Sequence, residues 1–169
     1  MGNKFLLFAV VLLLLCSCAD VIAETTSLEP GKEGETIAKK PIVEKLSGYF
    51  AKNTVKFDDN YDFKHLVVTN PKDFDKYFGI AKTMNNQVDK VNFAENSVIA
   101  IITRPANISR KIDLIYSELK ADRLLIRYHI REGSKNTYAA TGLYLATIPR
   151  DVAQVKFQSR HNVGIIDVK

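Results

Sequence analysis

Cysteine is nearly absent from this chain: Cys16 and Cys18 are the only two, and both lie within the first eighteen positions. Everything from Ala19 onward must therefore hold together by its core, without disulfides, thiolate metal ligands or a cysteine nucleophile. Glycine is equally sparing. From Gly48 to the end, Gly48, Gly79, Gly133, Gly142 and Gly164 each stand alone, which excludes a glycine-rich loop cradling phosphates. No Gly-x-Ser-x-Gly elbow occurs, and no serine sits on a motif that would activate it with a histidine base. The three histidines, His65, His129 and His161, are dispersed, without His-Glu-x-x-His or any comparable ligand spacing, and are expected on the surface. Paired carboxylates distant along the chain stay open, but with every specific motif missing the expectation is a binding protein, not an enzyme, with no cofactor and no metal.

What is present begins at the amino end. Lys4 is followed by an apolar run, Phe5 to Leu15, and then by Leu15-Cys16-Ser17-Cys18. A positive start, a short hydrophobic stretch and a small residue directly before a cysteine resemble the lipobox of bacterial lipoproteins, with Cys18 the first mature residue, acylated on sulfur and amine. The run is too short for a convincing spanning helix, and two or more acyl chains give stable anchoring. The expected layout is a signal peptide over 1–17, an acylated flexible tether over 18–40 and a single β-rich domain over 41–169. An ordinary signal peptide cleaved near Ala23 is the alternative. The stretch Glu24 to Glu35 is polar, acidic and without apolar periodicity, as a leash requires. The formal net charge of +5 is ordinary for a secreted surface and gives no reason to expect nucleic acid.

The domain reads as mainly β. Val98 to Ile102 is a continuous apolar run, as in a central strand buried on both faces. Ile112, Leu114 and Tyr116 share one face, and Leu124, Ile126, Tyr128 and Ile130 another, with Lys120 to Arg123 as the hairpin turn between them. Arg131 to Asn136, containing Gly133, reads as the next turn, before a strand through Tyr138 to Ile148; Val155 and Phe157 alternate, and Val163 to Val168 closes the chain. Asn70, Pro71 and Asp73 predict a short helix ending at Gly79, with Phe74, Tyr77 and Phe78 on its packed face. Pro41 to Phe57 is ambiguous, with helix-compatible spacing of Ile42, Val43, Leu46, Tyr49 and Phe50 and then a possible strand at Thr54 to Phe57. The fold expected is a small antiparallel barrel of the oligonucleotide-binding kind, or a sandwich, with one short helix.

Two further features invite a functional reading. Asp58 to Asp62 begins like a calcium loop, but Phe63 and Thr69 stand where glycine and glutamate belong, which leaves a solvated acidic turn. Arg127, His129 and Arg131 make a basic stripe on one strand, a solvated face or a meeting place for an acidic partner or lipid headgroups.

An acylated cysteine, an acidic leash and a small cysteine-free β domain together resemble the potempins, lipoprotein inhibitors with an oligonucleotide-binding-like barrel that protect their producer from its own secreted proteases. The order Val98–Ile102, Pro105, Ile112–Tyr116, Leu124–Ile130, Tyr138–Leu145 and Ile148-Pro149 is also similar to the domain of a lipoprotein that accompanies a surface subtilisin-like protease complex. That family tends to carry a Pro-Thr-Gly-Gly-type turn where this chain has Arg104-Pro105-Ala106-Asn107-Ile108. The resemblance implies a monomeric inhibitor or companion of a secreted bacterial peptidase, serine or metallo, held at the outer membrane by its lipid and facing the periplasm or the exterior. The protease-binding loop is then expected at Arg104, Pro105, Ala106, Asn107 and Ile108, where Pro105 restricts Arg104 to extended conformations. The alternative is a structural or ligand-binding envelope lipoprotein, with Tyr138 and Tyr144 as aromatic contacts.

Overall fold

The computed structural model describes residues 41–81, 87–160 and 162–168. Cys18, the expected signal peptide and tether over 1–40, and His161 lie outside the described residues. Along the chain run β1 (Glu44–Lys45), β2 (Tyr49–Ala51), β3 (Phe63–Val68), α1 (Pro71–Tyr77), β4 (Phe78–Ile80), β5 (Asn96–Thr103), β6 (Ala106–Lys120), β7 (Arg123–Ala140), β8 (Leu143–Pro149), β9 (Gln154–Gln158) and β10 (Val163–Asp167). One sheet has the order β1-β8-β5-β3, a second β10-β9-β7-β6, and β2 pairs with β4 in a short ribbon. The architecture is a mainly β sandwich, and neither four-stranded sheet closes into a barrel.

Its frame is a single long ribbon folded over on itself. β5 pairs with β8 from Asn96↔Pro149 to Ile102↔Leu143, and β6 pairs with β7 from Ala106↔Ala140 to Lys120↔Arg123. Only Arg104-Pro105 on one strand and Thr141-Gly142 on the other separate the two halves, yet the halves belong to different sheets. Strands that switch sheets at a corner do so through bends or bulges, and here the register shifts on both sides of Ile108.

Alternation then distributes the apolar side chains. On β5 the residues Ile99 and Ile101 face the second sheet, where they meet Ile112, Leu124, Ile126, Tyr128, Val155 and Phe157. Val98, Ala100 and Ile102 face the other way, onto Leu46, Val55, Phe74 and Phe78. β5 is thus buried on both faces, as its unbroken apolar run predicts, and each fully buried Ile or Phe contributes about 1.5–3 kcal/mol. The helix forms as read: Asn70 caps it, its Oδ1 accepting from Asp73 N at 2.9 Å while its Nδ2 donates to Asp73 Oδ2 at 2.8 Å. It stops one residue before the expected face ends, and Phe78 and Gly79 belong to β4. Gly79 is there for proximity, since a Cβ would lie 2.5 Å from the Phe50 ring.

Several expectations need correction. Ile42 to Phe50 forms no helix: Gly48 sits at φ 84 between β1 and β2, and the apolar residues divide, Ile42 and Val43 going to one core and Leu46 and Tyr49 to the other. Thr54 to Phe57 is irregular, with Val55 buried. A bulge between Leu114 and Tyr116 turns Tyr116 outward, off the face it was expected to share. The chain does not reverse at Arg131 to Asn136; β7 runs on to Ala140, and Thr141-Gly142 is the true corner. β9 runs parallel to β7, so the second sheet is not wholly antiparallel. The turn after β6 is where it was expected, with Ala121 at φ 53.

Thr103 and Gly142 lock the corner. Thr103 N donates to Gly142 O and Gly142 N to the buried Thr103 Oγ1, both at 2.8 Å. A Cβ on Gly142 would lie 2.6 Å from the Arg110 carbonyl oxygen. Backbone cannot swing aside as a side chain can, so Gly142→Ala is expected to destabilise the domain by about 1–3 kcal/mol in denaturant unfolding. An unchanged midpoint would remove the corner's claim to be tightly packed.

Candidate functional site

The segment expected to protrude is instead built into the frame. Arg104 and Pro105 are the whole of the β5–β6 connection, and Ala106, Asn107 and Ile108 already belong to β6. Arg104 is committed to the acidic turn before β3. Its N donates to Asp62 O at 2.7 Å, and its Nη2 donates to Asp58 O at 2.7 Å and Tyr61 O at 3.2 Å. Its guanidinium also lies 5.6 Å from the Phe57 ring centre, and its Nε is 3.8 Å from Asp62 Oδ1. The turn's carbonyl oxygens thus serve a guanidinium, and Asn60 N donates to Asp58 Oδ1 at 3.2 Å. Arg104 is thus a tie between the ribbon and the acidic turn, with part of its side chain still exposed.

The protrusion lies across from it, on β7. Ala140 faces Ala106 and Lys135 faces Ile108, so Asn136, Thr137, Tyr138 and Ala139 together oppose the single residue Asn107. Four residues against one must arch out of the ladder. Tyr138 at its crest is 67% exposed, more than any other large hydrophobic side chain among the described residues. The arch is braced from both ends: Arg110 Nε donates to Glu132 Oε1 at 3.1 Å below it, and the Thr103–Gly142 pair closes it above. Three of the expected loop residues, Ala106, Asn107 and Ile108, therefore contribute to the candidate site as its supporting strand. Tyr144, by contrast, is buried in the core between the sheets.

The basic stripe is on the outside of β7, with Arg127, His129 and Arg131 all exposed. Arg131 is the neutralised member: its Nε is 2.6 Å from Asp113 Oδ2, and this hydrogen bond is the first cause of the lowered Asp113 pKa.

His65 departs from its expected surface position. It lies in β3, at the seam where the outer edge of the first sheet meets β10, flat on Phe157 with ring centres 4.4 Å apart and edge-on to Tyr128. Its Nε2 is hydrogen-bonded to Tyr128 Oη at 2.8 Å, and a Cβ on Gly164 would come within 2.7 Å of its Nδ1. A cavity of about 390 Å³, lined by Tyr61, Phe63, His65 and Ile166 among others, opens beside it. No group of three or more metal-ligating side chains occurs among the described residues.

Burial lowers the His65 pKa from 6.5 to about 4. Between those values the unfolded chain binds a proton that the folded one does not. His65 thus contributes stability in full above pH 6.5, and that contribution is lost as pH falls toward 4. The denaturant midpoint is expected to drop across this window, and His65→Phe, which keeps the stack on Phe157, to show a shallower drop. An equal slope in both proteins would show that His65 does not titrate as placed.

No protein-family model, curated protein or solved structure matches this chain.

Proposed function

We propose that this chain is a lipid-anchored envelope protein that binds a secreted peptidase and inhibits or escorts it, with no chemistry of its own. The observation that carries the reading is the arch at Asn136–Ala139. Binding costs less when the contact segment is already ordered. An arch held in strand register at both ends, with one rigid aromatic at its crest, is a preorganised contact of that kind, and tyrosine is among the residues that most often dominate interface energetics. The contact is therefore assigned to the arch with Ala106–Ile108 behind it, in place of a free loop at Arg104–Ile108.

Mixing the protein with the peptidases secreted by its source organism is expected to abolish one activity at near-stoichiometric ratio. Tyr138→Ala is expected to weaken that effect at least tenfold while the thermal midpoint holds, as loss of an interface anchor does. A protein that neither inhibits nor co-elutes with any secreted peptidase would sink the proposal. It would favour the ligand-binding alternative, supported by the aromatic groove of about 740 Å³ between α1 and the β2–β4 ribbon, lined by Tyr49, Phe50, Phe74 and Phe93 among others.

The anchor itself is assigned to Cys18 and places the domain at the outer membrane. Cells fed a labelled palmitate analogue are expected to transfer the label to this protein, and Cys18→Ser to abolish the transfer. Label retained by Cys18→Ser would refute lipidation at that residue.

A further inference from the structure

The geometry points to the outer face of the second sheet as a docking surface for a bilayer that bears anionic headgroups. The strand register lays this face out in rows. Val163, Gln158, Arg127 and Tyr116 follow one another across β10, β9, β7 and β6, and the next row is Ile165, Lys156, Leu125 and Glu118. The aliphatic residues here are not incidental: Ile115 is 62% exposed, Ile165 58% and Val163 54%. They stand among three cations, Arg123, Arg127 and Lys156, which make no ion pair among the described residues, whereas Lys111, Lys120 and Arg131 are each matched to Asp113 or Glu118. A shallow groove of about 800 Å³ with Leu125 and Ile165 in its lining runs along this face beside Arg123 and Lys156.

Unpaired cations set among exposed aliphatics and a tyrosine are what the boundary between headgroups and acyl chains selects. The cations gain from an anionic surface potential and the aliphatics from shallow burial. An acidic peptide would satisfy the cations as well, but two considerations favour the bilayer. The face is broad and runs across four strands, and the groove along it is shallow and open. The anchor proposed above would also keep the bilayer permanently near: a polar leash of about twenty residues spans on the order of 25 Å. The proximity argument rests on that reading; the chemistry of the face does not. Docked in this way, the domain holds the outer rows of the second sheet to the membrane, while the arch stands at the other end of β7, beside the sheet-switching corner.

The chain contains no tryptophan, so one introduced at Ile165 reports alone. Lipidated Ile165→Trp protein is expected to emit as a water-exposed indole in bilayers of phosphatidylcholine. When phosphatidylglycerol is included its emission moves to the blue and brominated acyl chains quench it, and 1 M salt reverses both. A Tyr138→Trp reporter on the arch is expected to stay water-exposed in either bilayer. Combining Arg123→Gln, Arg127→Gln and Lys156→Gln is expected to weaken docking on the order of a hundredfold, and Lys156→Gln alone about fivefold, so one folded variant suffices. Identical Ile165→Trp emission in the two bilayers overturns the proposal. So does a blue shift produced by secreted peptidase and not by phosphatidylglycerol, which would give the face to an acidic protein. A chain that fails to float with phosphatidylcholine vesicles refutes the anchor alone, because a phosphatidylglycerol-dependent shift on simple addition still supports the face.

Discussion

The paired exchange between Thr103 and Gly142 is what the other features of this domain depend on. It fixes the place where a ribbon of some fifty residues leaves one sheet and enters the other, and so brings Ile99 and Ile101 opposite Ile126 and Phe157. Next to this corner β7 carries four residues, Asn136–Ala139, against the single Asn107 of β6, and the arch they form bears the exposed Tyr138. The same corner brings Arg110 and Arg104 toward Asp62, so the ribbon holds the acidic turn.

What was legible in the chain was whatever short-range pattern decides. The alternation in Leu124 to Ile130, the unbroken run Val98 to Ile102 and the cap at Asn70 each have a local cause, and each lies in an element that forms there, although α1 ends sooner and β7 runs further than expected. The candidate site was less legible because its signals point two ways. Glycine, serine and asparagine between Arg131 and Asn136 favour a reversal, but the same residues suit an irregular strand whose partner supplies the missing order. Pro105 suggested a loop by the same logic, while the two-residue connection it makes follows from the pairing of β6 with β7, a contact between residues far apart in the chain. His65 was misplaced for a related reason: nothing near it in sequence announces that Phe157 and Gly164 arrive to cover it.

The two surfaces described for this domain obey different physics. The arch is one exposed aromatic on a braced scaffold, suited to a partner with a pocket. The outer face of the second sheet is extended, cationic and sparsely apolar, suited to a partner with an area. Both lie on β7, the face at Leu125 and Arg127 near its start and the arch at Asn136–Ala139 near its end.

The ribbon's reach along the chain has a kinetic consequence. β1 finds its partner at Ala146 and Thr147, and β3 rests on a strand that begins at Asn96 and is itself completed only by β8. A chain delivered from its amino end can pair β3 with β5, but β1 and the rest of the first sheet wait for β8 to reach Pro149, and the second sheet needs Asp167 as well. Contacts so distant close slowly because the entropy of loop closure precedes their reward. Neither four-stranded sheet is therefore complete until the carboxyl-terminal strands are available to it.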